Sequence, residues 1–152
     1  MRLDETDRHI LRVLQRDGRI QNAELAQRVG LSPSPCLRRV RLLEEAGVIE
    51  RYVAVLNPAR LGLGMSLFTR VWLLTQDAET IDRFVAAMQR LEQVMECYIV
   101  LGECDAMLRV VVADLDDYRR FQTTHLTRAN GISNVKTDLP SQVVKRSYEL
   151  PL

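Results

Sequence analysis

Apolar residues in the first third of the chain recur three to four positions apart, which is the spacing of one face of a helix. Three such runs are present, and they are separated by helix-capping and turn residues: a capping candidate, a glycine turn and a Ser-Pro pair. The pattern predicts three helices whose apolar faces are Ile10/Leu11/Leu14, Leu25/Ala26/Val29 and Leu37/Val40/Leu43. The β-rich residues 48–56 that follow predict a strand or small hairpin. Three helices followed by a ribbon predict a winged helix-turn-helix, here residues 1–56.

The second part of the chain has a different rhythm, in which β-rich runs alternate with helical periodicity. Residues 57–64 contain Asn57-Pro58 and two glycines and are predicted to be a linker. The remaining residues 65–152 predict strands at 66–75, 94–101, 106–113 and 132–139, helices at 80–91 and 114–128, and an extended segment at 142–147. This βαββαβ order predicts a ferredoxin-like domain, so the whole chain is expected to be an α+β protein.

Both faces of the predicted sheet are apolar. In the first strand Leu67 and Val71 alternate with Phe68 and Trp72. Two helices cover one face only, and exposing several large side chains is costly at roughly 25 cal/mol per Å². We therefore expect the second face to pair with another copy, which would also give a helix-turn-helix protein two half-sites.

Composition narrows the class of protein. The chain has 152 residues, 47% hydrophobic and 27% charged, with a net charge of +1. It contains neither a long apolar run nor a basic-then-apolar leader, so a soluble cytoplasmic protein without a membrane partner is expected. Three cysteines without paired spacing favour free thiols, and neither a metal nor a cofactor is expected.

The predicted third helix carries several arginines and no acidic residue in its first half. Guanidinium groups on the face opposite the apolar stripe can reach phosphates and guanine edges, and serines at the helix start can reach phosphates. The candidate DNA contacts are Ser32, Ser34, Pro35, Cys36, Arg38, Arg39 and Arg41. The alternative, a solvated charged face on an ordinary helix, is disfavoured by the surrounding helix-turn-helix pattern.

Residues 101–105 join the second and third predicted strands and contain a glycine and an aspartate. Backbone N–H groups and a carboxylate are the donors and acceptor that a zwitterionic amino acid needs. A hairpin turn with a solvated acidic pair is the competing interpretation. No serine elbow, phosphate-binding glycine loop or catalytic relay is present in the sequence, which argues against an enzyme.

Motifs along nearly the whole chain resemble the leucine-responsive regulator/AsnC family of transcription factors. They include Leu3-Asp4, Asp17-Gly18-Arg19, Val29-Gly30-Leu31-Ser32-Pro33, Leu56-Asn57-Pro58, Gly102-x-x-Asp105 and the closing Leu150-Pro151-Leu152. The resemblance implies a DNA-binding first half and a second half that senses small effectors, usually amino acids, and assembles into dimers, tetramers or octamers.

By that resemblance the effector site comprises Leu101, Gly102, Glu103, Cys104, Asp105 and Ala106. The family usually has Tyr or Phe where this chain has Ala106, and often an apolar residue at Pro140. Two alternatives stay open: an architectural DNA-binding protein without an effector, and an enzyme on the ferredoxin-like half.

Overall fold

The computed structural model describes residues 2–152, which form two compact units. The first comprises the chain up to Val55 together with Val144–Leu152, and the second is Leu56–Val143. The first unit contains helices α1 Glu5–Arg16, α2 Asn22–Val29 and α3 Pro33–Glu45. The second contains β1 Met65–Leu73, α4 Ala78–Met88, β2 Val94–Ile99, β3 Ala106–Val112, α5 Leu115–His125 and β4 Ile132–Asp138.

Local capping explains where the helices of the first unit begin and end. Asp4 and Asp7 form a reciprocal capping box at the start of α1. Gly30 ends α2 with φ +71°, a left-handed conformation that costs glycine little, and so allows the tight turn into α3. The three helices bury one cluster formed by Ile10, Leu11, Leu25, Ala26, Cys36 and Leu43. The prediction of three helices is confirmed.

The strand or hairpin predicted over residues 48–56 does not form. Residues 50–57 have no regular secondary structure, and Val53, Val55 and Leu56 are 60–68% exposed. A strand needs a neighbouring strand to pair with its backbone N–H and C=O groups. Within residues 2–152, no strand lies beside this segment.

The second unit has the predicted βαββαβ order. Its four strands pair antiparallel in the order β2-β3-β1-β4. Alternate residues of β1 and β3 pack with α4 and α5 in one core, including Leu67, Val71, Leu108, Phe84 and Phe121. Both helices therefore cover the same face of the sheet, as the sequence predicts.

One polar cluster lies inside this core. The Tyr118 hydroxyl is 2.9 Å from Thr69 Oγ1 and 2.5 Å from Thr137 Oγ1. Thr69 and Thr137 face each other in the β1–β4 register. The three hydroxyls satisfy one another, so burying them does not leave unpaired polar groups.

The last residues differ from the predicted domain division, which assigns 65–152 to the second domain. Residues 142–147 form no strand, and Val144–Leu152 group with the first unit. Among the residues described, no helix is long and apolar enough to span a bilayer.

Candidate nucleic-acid interface and effector loop

The N-terminal half of α3 presents most of the predicted DNA contacts to solvent. Ser32, Ser34, Pro35, Arg38 and Arg41 are exposed. Pro33 and Pro35 lack N–H groups, so the start of α3 has few backbone donors for a ligand. The donors on this part of the helix are therefore mainly hydroxyl and guanidinium side chains. With no acidic residue in that turn, this face is suited to anionic phosphates.

Arg39, also on α3, is only partly exposed and is hydrogen-bonded to the start of α1. Its Nη1 is 2.8 Å from Asp4 Oδ2 and 2.7 Å from Asp7 Oδ1. The hydrogen bond from the Asp7 backbone N–H, followed by the one from Arg39, holds the pKa of Asp4 below its ordinary value. The hydrogen bonds that Arg39 donates to the side chains of Asp4 and then Asp7 raise the pKa of Arg39. Arg39 thus joins α3 to the start of α1 through Nη1, and its contact with DNA stays a prediction.

Cys36 is fully buried in the helical core, where burial raises the pKa of its thiol. A thiol in that position cannot reach DNA, so Cys36 is removed from the predicted contacts. Leu37, predicted on the buried face of α3, is exposed, and Cys36 takes the core position in this turn.

The loop between β2 and β3 is anchored by Asp105. One carboxylate oxygen accepts from the Leu73 backbone N–H at 2.8 Å, and the other accepts from Gln76 Nε2 at 2.8 Å. Trp72 Nε1 donates to the Glu103 carbonyl at 2.9 Å. Asp105 therefore shapes the loop, while each of its oxygens keeps a lone pair for a further donor.

The backbone N–H groups of residues 101–104 have no hydrogen-bond acceptor within residues 2–152. Leu101 is fully exposed, whereas Cys104 is buried. Unpaired amides on a short exposed loop are free to donate to water or to an anion such as a carboxylate.

Ala106 is fully buried, and its register partners are Val71 on β1 and Ile99 on β2. It belongs to the core face of the sheet, and its place in the effector site stays a prediction. Trp72 and Gln76, which sequence reasoning missed, hold the loop from β1 and the turn after it. Only the register between β1 and β3 could have indicated that Trp72 and Gln76 lie beside this loop.

Comparison with known proteins places these features in one family. Residues 3–50 match a winged helix-turn-helix DNA-binding model, and residues 66–150 match an Lrp/AsnC ligand binding domain model. The chain is 43% identical over 148 residues to the leucine-responsive regulatory protein of Salmonella typhimurium, covering 97% of this chain and 90% of the relative.

Solved structures agree with the sequence comparison. A transcriptional regulator from Neisseria meningitidis in complex with L-Met superimposes with a TM-score of 0.95 at 35% identity, covering 99% of this chain and 97% of that one. An AsnC family regulator from Agrobacterium tumefaciens gives a TM-score of 0.93 at 36% identity, covering 98% and 97%. The chain therefore belongs to the Lrp/AsnC family of DNA-binding transcriptional regulators.

Proposed function

We propose that the chain binds double-stranded DNA through the exposed half of α3 and that a small amino acid bound at residues 101–104 changes this binding. The observation that carries the proposal is the presence of two separate donor sets in one chain. One is a guanidinium face on a helix-turn-helix, and the other is a run of unpaired loop amides.

At the DNA, Arg38 and Arg41 are the principal candidates because both are exposed. Guanidinium forks bind phosphates and guanine edges, while Ser32, Ser34 and Pro35 approach the backbone of the duplex. Arg39 contributes by holding α3 against α1.

At the effector loop, the unpaired amides of residues 101–104 would bind the carboxylate of the amino acid. Cys104 lies buried at the base of the loop, and the remaining lone pairs of Asp105 would accept from the ammonium group. The related regulator from Neisseria was crystallised with L-Met, an amino acid.

Assembly would use the face of the sheet opposite α4 and α5. Phe68 and Met107 are 41% and 39% exposed there. Arg70 pairs with Asp138, and Arg109 pairs with Glu96, on the same face. We infer that this mixed surface forms a homodimer, which assembles further into a tetramer or octamer, and that the protein works in the cytoplasm, where the DNA is.

Two measurements test the function. The melting temperature is recorded with each of the twenty amino acids, and affinity for selected genomic fragments is then recorded with and without any that stabilise the protein. Stabilisation of several degrees and a change in DNA affinity of roughly 5- to 150-fold are expected. Tight DNA binding with no response to any amino acid would instead favour an architectural protein, and a lone monomer that binds no fragment would contradict DNA regulation.

A further inference from the structure

The C-terminal segment, residues 148–152, lies against the end of α1. The Gln15 side-chain amide pairs with both polar groups of the Leu150 backbone: its Nε2 donates to the carbonyl at 3.3 Å, and its Oε1 accepts from the N–H. Arg16 Nε is 3.0 Å from Glu149 Oε2. Two consecutive residues of α1 thus bind two consecutive residues of the segment.

An apolar groove lies beside these polar contacts. It holds a cavity of about 270 Å³ whose walls include both Leu150 and Leu152. We call it the α1 groove, and its remaining apolar lining is Leu3, Leu11, Leu14, Val48, Ile49 and Tyr52. Leu152, at 38% exposed, is better covered than Leu150 at 70%. The segment is therefore held by backbone pairing and by partial burial of its last leucine.

The two ends of α1 make different long-range contacts within the first unit. Its start binds α3 through Asp4, Asp7 and Arg39, and its last turn binds the C-terminal segment. A helix transmits a restraint along its length because its backbone hydrogen bonds make it stiff. The contacts at the last turn and those of the carboxylates that hold α3 thus act on the same helix.

We propose that the C-terminal segment is a positioning element of the DNA-binding unit, which acts through Gln15 and α1 to fix the orientation of α3. The proposal rests on DNA binding by α3. Gln15 is the positioning residue, because its amide pairs with the backbone of Leu150 in both directions. The Arg16–Glu149 ion pair is solvent-exposed and adds little.

Proximity is tested by cross-linking in the full chain. Arg16→Cys and Glu149→Cys are introduced together in a Cys97→Ser background, which removes the exposed native thiol. A short thiol-reactive linker should close a loop within one chain faster than it does in a control carrying Arg28→Cys with Glu149→Cys. Covalent dimers, or a rate equal to that of the control, would overturn docking within the chain.

Positioning is tested with Gln15→Ala, Gln15→Glu and a control, Gln89→Ala, an exposed glutamine of the second unit. Losing the paired hydrogen bonds should speed amide exchange in α1 and α3, but not in β1, by about 2- to 10-fold. Affinity for a DNA fragment selected with the wild-type protein should fall by a similar factor. Glu keeps the acceptor but loses the donor, so Gln15→Glu should lie between wild type and Gln15→Ala.

The outcomes separate the two claims. Unchanged exchange in α3 of a folded Gln15→Ala variant contradicts the positioning role whether or not DNA binds. Faster exchange in α3 together with a wild-type protein that binds no DNA would support the positioning but refute the proposed function. Equal DNA affinity of Gln15→Ala and wild type, where wild type binds, would also overturn the inference.

Discussion

The guanidinium of Arg39 lies 2.7 Å from a carboxylate oxygen of Asp7, whose side chain is only 5% exposed. A nearly buried carboxylate needs a permanent partner, and Arg39 supplies it from the helix predicted to read DNA. The Arg39–Asp7 contact therefore both orients α3 and gives the buried carboxylate of Asp7 a charged partner. Only Nη1 of Arg39 makes the contacts with Asp4 and Asp7, so a phosphate contact by Arg39 would use its other N–H groups.

Replacing Arg39 by Ala is expected to lower the free energy of unfolding by about 1–3 kcal/mol, because Asp7 loses a charged hydrogen bond while buried. Urea denaturation of the full chain measures the change. The matched control is Arg38→Ala, an exposed neighbour that should stay within about 0.5 kcal/mol of wild type. Equal stability of the two variants would contradict the positioning role of Arg39.

Asp4 should make the protein less stable in acid. Its folded pKa is lowered from 3.8, chiefly by the Asp7 backbone hydrogen bond and then by Arg39. The stabilisation is thus complete above the unfolded pKa and is lost as pH falls through the folded one. Asp4→Asn keeps a capping side chain without the charge. Urea midpoints between about pH 5 and about pH 2 should fall less steeply for this variant than for wild type, and parallel curves would exclude the effect.

Arg38 and Arg41 should contribute to DNA affinity through phosphate contacts. Each contact removed lowers the magnitude of the slope of log affinity against log salt concentration by about 0.9. Arg38→Ala and Arg41→Ala should therefore weaken binding and flatten this slope, as measured by fluorescence anisotropy across a salt series. Arg90→Ala, an exposed arginine of the second unit, is the control. A slope unchanged by both α3 variants would remove them from the interface.

A side chain at Gly131 should lower the stability of the protein more than one at Gly62. The φ of Gly131 is +82°, and an added Cβ would lie 3.1 Å from Thr80 Cγ2 and 3.2 Å from the Thr80 carbonyl oxygen. Gly62 has a similar φ of +74° with no atom within 4 Å of an added Cβ, so Gly62→Ala should cost only the backbone strain of about 1–2 kcal/mol. Calorimetry should show a lower melting temperature for Gly131→Ala than for Gly62→Ala, and the reverse order would contradict the packing.

Gln76→Ala should weaken effector binding, because Gln76 holds the loop through its hydrogen bond to Asp105. Without this hydrogen bond, one oxygen of Asp105 loses its donor and the loop is held less firmly. Calorimetric titration with an amino acid that stabilises wild type should show a several-fold loss of affinity, comparable to one lost hydrogen bond of about 1 kcal/mol. Gln142→Ala, an exposed glutamine of the segment after β4, should bind as wild type does.

The sequence predicted the elements better than it predicted the role of each polar residue. Periodicity located the three helices and the βαββαβ order, because burying one face of each element dictates that spacing. The ribbon at 48–56 could not be judged in the same way, since apolar alternation does not reveal whether a pairing strand exists. The sequence predicts residues 65–152 as one domain, and it gives no sign of the hydrogen bonds between Gln15 and Leu150 within the first unit.

The candidate sites show the same limit. Exposure of Arg38 and Arg41 follows from helical spacing, but the pairing of Arg39 with Asp4 and Asp7 spans more than thirty positions and required the packed helices. Likewise the glycine loop was visible in the sequence, while its anchors Trp72 and Gln76 come from another strand and the turn beyond it.

The hydroxyls of Thr69, Tyr118 and Thr137 have a consequence for how the sheet assembles. If β4 slid by one residue along β1, Thr137 would turn to the opposite side, and the buried hydroxyls of Thr69 and Tyr118 would keep only each other as partners. The shifted register would therefore lose the hydrogen bonds of Thr137, whereas Val or Phe at the three positions would fit either register. The three hydroxyls thus favour a single register of β4 against β1.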